Sequence, residues 1–198
     1  MGSLGLAGLL AACSTAEAPR FHSLLPSLQT AAAPPAATSP PLYIDLGPVG
    51  IPASIDQPQW VVRMPDDSLR MLEQERWVGP LRDELRSAVA ERLARHWGAV
   101  DVRTTPAPAN TGWRVRIDVQ RFESVIGREA WVESQWSAVS FKTPATTLTC
   151  RVVIHDPAVG DPAALAAAHR RAVVQLADAI GERLRAVEQG GVAACAKA

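Results

Sequence analysis

The sequence predicts a single α+β domain, an α/β sandwich in which two long amphipathic helices pack on a mixed, mostly antiparallel β-sheet. Two observations support this fold class. Short segments alternate apolar and polar residues with the period of a strand, and two long segments repeat apolar residues with the period of a helix. The elements follow in the order strands, helix, a meander of three strands, and a second helix.

The first part of the chain contains four predicted strands, bounded by Pro or by turn-forming residues. They cover residues 21–25, 42–51, 59–63 and 69–75. Pro52 ends the second of them, because proline cannot donate a further ladder hydrogen bond. The stretch 30–41 is rich in Ala and Pro and has no periodicity, so it is predicted to be a surface loop.

The first helix is predicted at residues 80–97. Proline is tolerated in a first turn, as at Pro80, and Gly98 suits the C-terminal end. The apolar residues form one stripe at helical spacing: Leu81, Leu85, Ala88, Val89, Leu93 and Trp97. Charged residues, Glu84 among them, lie off this stripe, so the helix is predicted to bury one face against the sheet.

The second half of the chain is predicted to contain a meander and a helix. A short strand at residues 101–105 precedes the three meander strands, which cover residues 113–123, 130–141 and 146–155. Asp161 as N-cap and Pro162 after it predict the start of the last helix, which continues to about residue 188. Residues 189–198 are predicted to be a flexible tail.

Residues 1–12 have the form of a lipoprotein signal peptide. An apolar run too short to span a bilayer ends in small residues before Cys13. This pattern predicts lipidation of Cys13, with residues 13–19 as a tether, although the leader lacks the usual basic residue. The alternative is an apolar N-terminus with a chance cysteine. Ser14 favours the outer membrane, where several acyl chains such as palmitate would anchor the protein among the lipids.

The two other cysteines leave two interpretations open. Cys150 lies in a strand pattern and Cys195 in the small-residue tail. Either they form a disulfide in an oxidising compartment, or Cys150 is a small, buried apolar residue. The predicted flexibility of the tail favours the second interpretation.

The sequence lacks the common signatures of a reactive site. It contains no Gly-x-Ser-x-Gly, His-Glu-x-x-His or phosphate-binding Gly-rich motif, so we predict no catalytic residue, no cofactor and no metal. His155 and His169 are the pair considered for a metal site, and surface polarity is the preferred interpretation of both. A net charge of zero gives no indication of nucleic-acid binding.

Four short motifs carry a family resemblance: Gly50-Ile51-Pro52, Ile55-Asp56-Gln57-Pro58-Gln59, Val62-Arg63 and Arg76-Trp77-Val78-Gly79-Pro80-Leu81. They resemble the ABC-type transport auxiliary lipoprotein family, which typically shows Val-Pro, Leu-Asp-Arg-Pro-Gln, Val-x-Arg and Arg-Trp-Ala-Glu-Pro-Leu at these places. Gln57 and the pair Val78-Gly79 depart from that pattern. The resemblance extends from about residue 20 to about residue 187.

This resemblance implies a domain at residues 20–188 with two helices layered against a sheet. It also implies a non-enzymatic periplasmic lipoprotein, anchored in the outer membrane, that docks an MCE-domain protein and its ABC transporter. Such systems move lipids between the two membranes. Two other functions stay open, a periplasmic lipid-binding carrier and a structural envelope-integrity lipoprotein, and so does assembly into a homo-oligomer.

Three residues are predicted to contact a partner: Arg63, Arg76 and Trp131. Trp131 lies on the opposite face of its strand from Trp136, and an exposed tryptophan is a favoured interface anchor. Arg76 and Trp77 have an alternative role, in which they hold the start of the first helix against the sheet. The charged residues of this region are interpreted as a solvated face or, alternatively, as a partner-binding rim: Arg70, Glu73, Glu75 and Arg76.

Overall fold

A computed structural model describes residues 17–26 and 40–195, so the predicted signal peptide, Cys13 and most of the 30–41 loop lie outside the described residues. The strands are β1 (Arg20–His22), β2 (Leu42–Gly50), β3 (Gln59–Arg63), β4 (Leu69–Trp77), β5 (Ala99–Asp101), β6 (Trp113–Val125), β7 (Glu129–Ser140) and β8 (Thr147–Pro157). The helices are α1 (Leu81–Trp97) and α2 (Pro162–Glu188). No described helix combines the length and apolar character that crossing a bilayer requires.

The central strand of the sheet is β6, and its two edges pair differently. One edge pairs antiparallel with β7 along nearly the whole strand, and β7 pairs antiparallel with β8. The other edge pairs in parallel with β2 through residues 113–118 and with β3 through residues 124–125. β5 lies beyond β2, whereas β4 and then β1 lie beyond β3. The α+β class and the mixed sheet are therefore confirmed, and the longest ladders are antiparallel.

Both helices pack on one face of this sheet. α1 contacts β2, α2 contacts β7 and β8, and the two helices contact each other. Along β7 every second residue from Ala130 to Ser140 is buried on this side. The residues between them lie on the other side, called here the open face, where side chains are half-buried or exposed. The largest fully buried side chains include three tryptophans: Trp60, Trp113 and Trp136.

A glycine allows the two helices to approach closely. A Cβ atom at Gly181 of α2 would lie 2.4 Å from the Trp97 ring of α1. Beside this contact Asp178 accepts hydrogen bonds from Arg92 at 2.8 Å and from the Trp97 indole at 3.0 Å. Burial alone would raise the pKa of Asp178, but these hydrogen bonds outweigh it and lower the pKa.

β1 and β5 end several residues earlier than predicted, and local hydrogen bonds explain both differences. β1 ends at His22 because the next two residues turn toward α1, where the Ser23 hydroxyl and the Leu24 N–H donate to Glu84 at 2.7 and 2.9 Å. β5 ends at Asp101, earlier than the predicted strand 101–105. The Asp101 carboxylate accepts from the backbone N–H of Arg103 at 3.0 Å, which forms a turn there.

Cys150 and Cys195 form a disulfide, with 5.5 Å between their Cα atoms. Cys150 lies on the buried side of β8, and the chain returns from the end of α2 to reach it. The preference for Cys150 as an unpaired apolar residue was therefore wrong. In the chain-entropy model, a cross-link over a separation of 45 residues stabilises a fold by about 4 kcal/mol.

Candidate functional site

A β-bulge in β6 places an arginine and a glutamate on the open face. The register between β6 and β7 shifts between Val119 and Arg121. Before the shift, odd-numbered residues of β6 are buried, and after it Phe122 is buried instead. Arg121 and Glu123 therefore lie on the open face, because one extra residue exchanges the two sides of a strand.

The residues beside the bulge form a continuous row of contacts across four strands. Arg63 donates to Glu123 from Nε at 2.8 Å and from a terminal nitrogen at 3.3 Å. Arg121 donates to the same carboxylate at 3.2 Å, and its guanidinium carbon lies 4.0 Å from the centre of the Trp131 ring. The Trp131 ring lies 4.6 Å from that of His155. We call these five residues the open-face row.

Acidic residues beside the row are also paired with bases. Glu133 accepts a hydrogen bond from Arg151 Nε at 2.9 Å. Glu129 accepts from His155 at 3.0 Å and from Arg128 at 2.9 Å. Burial alone would raise the pKa of Glu129, but these two hydrogen bonds outweigh it and lower the pKa. For Arg63, the hydrogen bond to Glu123 raises the pKa of the guanidinium.

The β2 end of the open face continues this pattern of alternating charges. Asp45 accepts from Arg103 at 2.8 Å and from Arg114 at 3.2 Å. Between β2 and β7 a cleft of about 290 Å³ is lined by Arg116, Asp118 and Gln135, among others. Such a surface offers hydrogen bonds and charges of both signs, so it suits recognition of a polar protein partner.

The structure brings together two of the three predicted partner residues. Arg63 and Trp131 both belong to the open-face row, joined by Glu123 and Arg121. Trp131 is half-buried, and its indole N–H is buried without a hydrogen-bond partner among the residues that the structure describes. Its position on the opposite face from the buried Trp136 agrees with the sequence pattern.

Arg76 lies apart from the row, at the β1 side of the sheet. It lines a cleft of about 420 Å³, called here the edge cleft, whose walls come from β1, β4 and the turns before β3 and α1. The lining residues are Phe21, Asp56, Gln57, Pro58, Arg76, Trp77, Val78, Gly79, Pro80 and Leu81. Trp77 also reaches the core, where its ring lies 4.5 Å from that of Trp60. This packing supports the alternative role for Trp77, at the start of α1.

Two buried carboxylates hold β1 in place, although the sequence pattern predicted that both are exposed to solvent. Glu75, 4% exposed, accepts from His22 at 2.6 Å and pairs with Arg20 at 2.6 Å. Glu84 is also buried and accepts from the segment after β1. The sequence did contain a signal for the burial of Glu75. This residue lies two residues before Trp77, and residues two apart in a strand share a face.

The two histidines considered for a metal site lie on opposite sides of the sheet. His155 is exposed on the open face, whereas His169 of α2 is fully buried, so its assignment to the surface was wrong. His169 Nε2 lies 2.8 Å from the Ser124 hydroxyl, and its ring stacks on Phe122. Among the described residues, His169 Nδ1 has no hydrogen-bond partner. A space of about 10 Å³ beside Ser124 and Phe122 admits at most about one water. In the described part of the chain this serine–histidine pair is buried, and no carboxylate orients the imidazole.

A family model described as ABC-type transport auxiliary lipoprotein component matches residues 23–181. No curated protein sequence matches the chain significantly. The crystal structure of an uncharacterized protein is similar, with a TM-score of 0.65 and 13% identity over 85% of this chain and 99% of that one. So is the structure of a DUF330-family protein from Xanthomonas campestris, with a TM-score of 0.57 and 22% identity over 81% of this chain and 95% of that one. At these identities the structural likeness shows the fold alone.

Proposed function

The chain belongs to the ABC-type transport auxiliary lipoprotein family, and from that premise we propose that it is the docking adaptor of an ABC/MCE-type system for lipid transport between membranes. In this proposal the domain is non-enzymatic, and acyl chains on Cys13 anchor it in the outer membrane on the periplasmic side. The MCE-domain protein docks on the open face. The disulfide supports a periplasmic location, because such bonds persist in oxidising compartments.

The observation that carries the proposal is the open-face row. Both helices pack on the other side of the sheet, so the row is not needed to fill the core. Its side chains are nevertheless held in fixed positions by one another, from Arg63 through Glu123 and Arg121 to Trp131. An arginine-rich surface around a half-buried tryptophan has the composition of an interface centre, and its fixed side chains reduce the entropy lost on binding.

A double variant, Arg63→Gln with Trp131→Ala, is expected to reduce recovery of the MCE partner in co-purification from membranes. Loss of an interface anchor costs about 2 kcal/mol or more of binding, which corresponds to roughly a thirtyfold weaker complex. Gln at position 63 avoids placing a second carboxylate beside Glu123. Cooperative thermal unfolding shows that the variant is folded.

Glu182→Arg is the matched control, because Glu182 is an exposed residue of α2, on the helical side. It is expected to retain the partner at the wild-type level. Equal recovery by the double variant and this control would reject the open face as the docking site. If the wild-type protein recovers neither an MCE-domain protein nor an ABC transporter component, the adaptor proposal itself fails.

The proposed anchor predicts that Cys13→Ala removes the protein from the outer-membrane fraction. The thiol is the acceptor of the acyl chains, and stable anchoring needs more than one chain. Density-gradient fractionation and the mass of the mature N-terminal peptide provide the measurements. An unmodified Cys13 in the wild-type protein, or unchanged fractionation of the variant, contradicts the anchor.

A further inference from the structure

We propose that the edge cleft binds the phosphate headgroup of an anionic phospholipid in the leaflet that holds the protein. This inference rests on the proposed lipidation of Cys13, and it gives the domain a second, non-covalent contact with the membrane. Three independent features of the described residues lead to it: an unpaired guanidinium, an apolar wall and the position of β1.

The guanidinium belongs to Arg76. The cleft lining contains two charged residues, and the other, Asp56, already forms an ion pair with Arg82. Arg76 forms no ion pair in the described part of the chain, and its Nε is buried without a hydrogen-bond partner. A buried, unsatisfied donor favours an acceptor from outside the domain. Phosphate oxygens match the planar fork of arginine donors, which can bind them in a bidentate manner.

The apolar wall suits the part of a lipid next to its headgroup. Phe21 and Val78 flank the cleft, and each is 58% exposed. Pro58 and Pro80 extend the apolar lining. The cleft volume of about 420 Å³ lies within the range of small-molecule sites, and a cation beside apolar side chains is the combination that interfacial contacts use.

The position of β1 brings the cleft to the membrane. Phe21 lies eight positions after Cys13, so even a fully extended chain places Phe21 within about 29 Å of the acylated cysteine. Glu75 and Glu84 fix β1 and the segment after it against the domain. The wall of the cleft therefore stays near the bilayer, and the lipid headgroups are present there at high effective concentration.

The test measures binding of the full chain carrying Cys13→Ala to vesicles, so that neither acylation nor the transporter contributes. One vesicle preparation is phosphatidylcholine alone, and the other contains one part phosphatidylglycerol to four parts phosphatidylcholine. Arg76→Gln in this background is expected to weaken binding to the anionic vesicles about fivefold, and Phe21→Ser about tenfold. The matched controls are Arg128→Gln and Val159→Ser, which alter exposed residues outside the cleft lining.

Three outcomes overturn the inference. The first is equal binding by the cleft variants and the controls. The second is binding that does not depend on phosphatidylglycerol, which removes the headgroup from the interaction. The third combines two results for the Arg76→Gln variant: unchanged vesicle binding and loss of the MCE partner in co-purification. Together they would show that the cleft binds a protein and not a lipid headgroup. Failure of the vesicle test leaves the adaptor proposal intact, because that proposal is decided by co-purification.

Discussion

Replacement of Leu85 by Asp is expected to unfold the domain. Leu85 is 1% exposed in the interface between α1 and the sheet, where it belongs to the apolar core. A carboxylate at that place would be buried without a partner, which costs several kcal/mol, on the order of the whole stability of a small domain. Thermal unfolding followed by circular dichroism measures the effect.

Ser87→Asp is the control for this prediction, because Ser87 is exposed two residues further along the same helix. It introduces the same charge with the same helix propensity and is expected to change stability by within about 0.5 kcal/mol. A Leu85→Asp protein that melts like the Ser87→Asp protein would show that α1 does not pack on the sheet as described.

Acidification is expected to destabilise the domain through His169. Burial lowers the pKa of His169 to about 3 from its ordinary value of 6.5. Because the unfolded chain binds the proton more readily, the stabilisation is complete above pH 6.5 and is lost as the pH falls toward 3. Between pH 7 and pH 4 this histidine alone should remove roughly 3 kcal/mol from the free energy of unfolding.

The variant His169→Gln separates this effect from the general response of the domain to acid. The side chains packed against the imidazole do not titrate in this range: Trp60, Trp77, Phe122 and Ser124. Carboxylates elsewhere respond to acid in both the wild-type protein and the variant. The difference between the two slopes of unfolding free energy against pH therefore measures the contribution of His169. Urea denaturation at a series of pH values gives both slopes, and identical slopes would contradict the prediction.

Periodicity predicted the elements of the fold well, because each depends on residues close together in the sequence. The helix stripe that contains Leu85 and the N-cap at Asp161 were both correct. The bulge before Arg121 was not visible, because an extra residue in a strand leaves the alternation intact on each side. Simple alternation continued past Gln120 would place Phe122 on the open face, so the open-face row could not be derived from it.

The buried polar residues show a different limit of sequence reasoning. Glu84 lies off the apolar stripe of α1, and its partners come from a segment about 60 residues earlier in the chain. Cys150 and Cys195 are brought together by the return of the chain along α2, which is a tertiary event. His169 is different, because it lies four residues after the buried Leu165 on the core side of α2. The spacing of four residues from Leu165 was therefore sufficient to predict that His169 lies on the buried side of the helix.

The attachment of β1 determines how a mechanical pull from the membrane would enter the domain. Tension on the chain before Glu17 first reaches Arg20 and His22, which are paired in register with β4 and tied to Glu75. The hydrogen bond from the Leu24 N–H to Glu84 then transmits the tension to α1. A pull along the strand would strain these contacts together. It would also load the tryptophan core, because the ring of His22 lies 4.8 Å from that of Trp60.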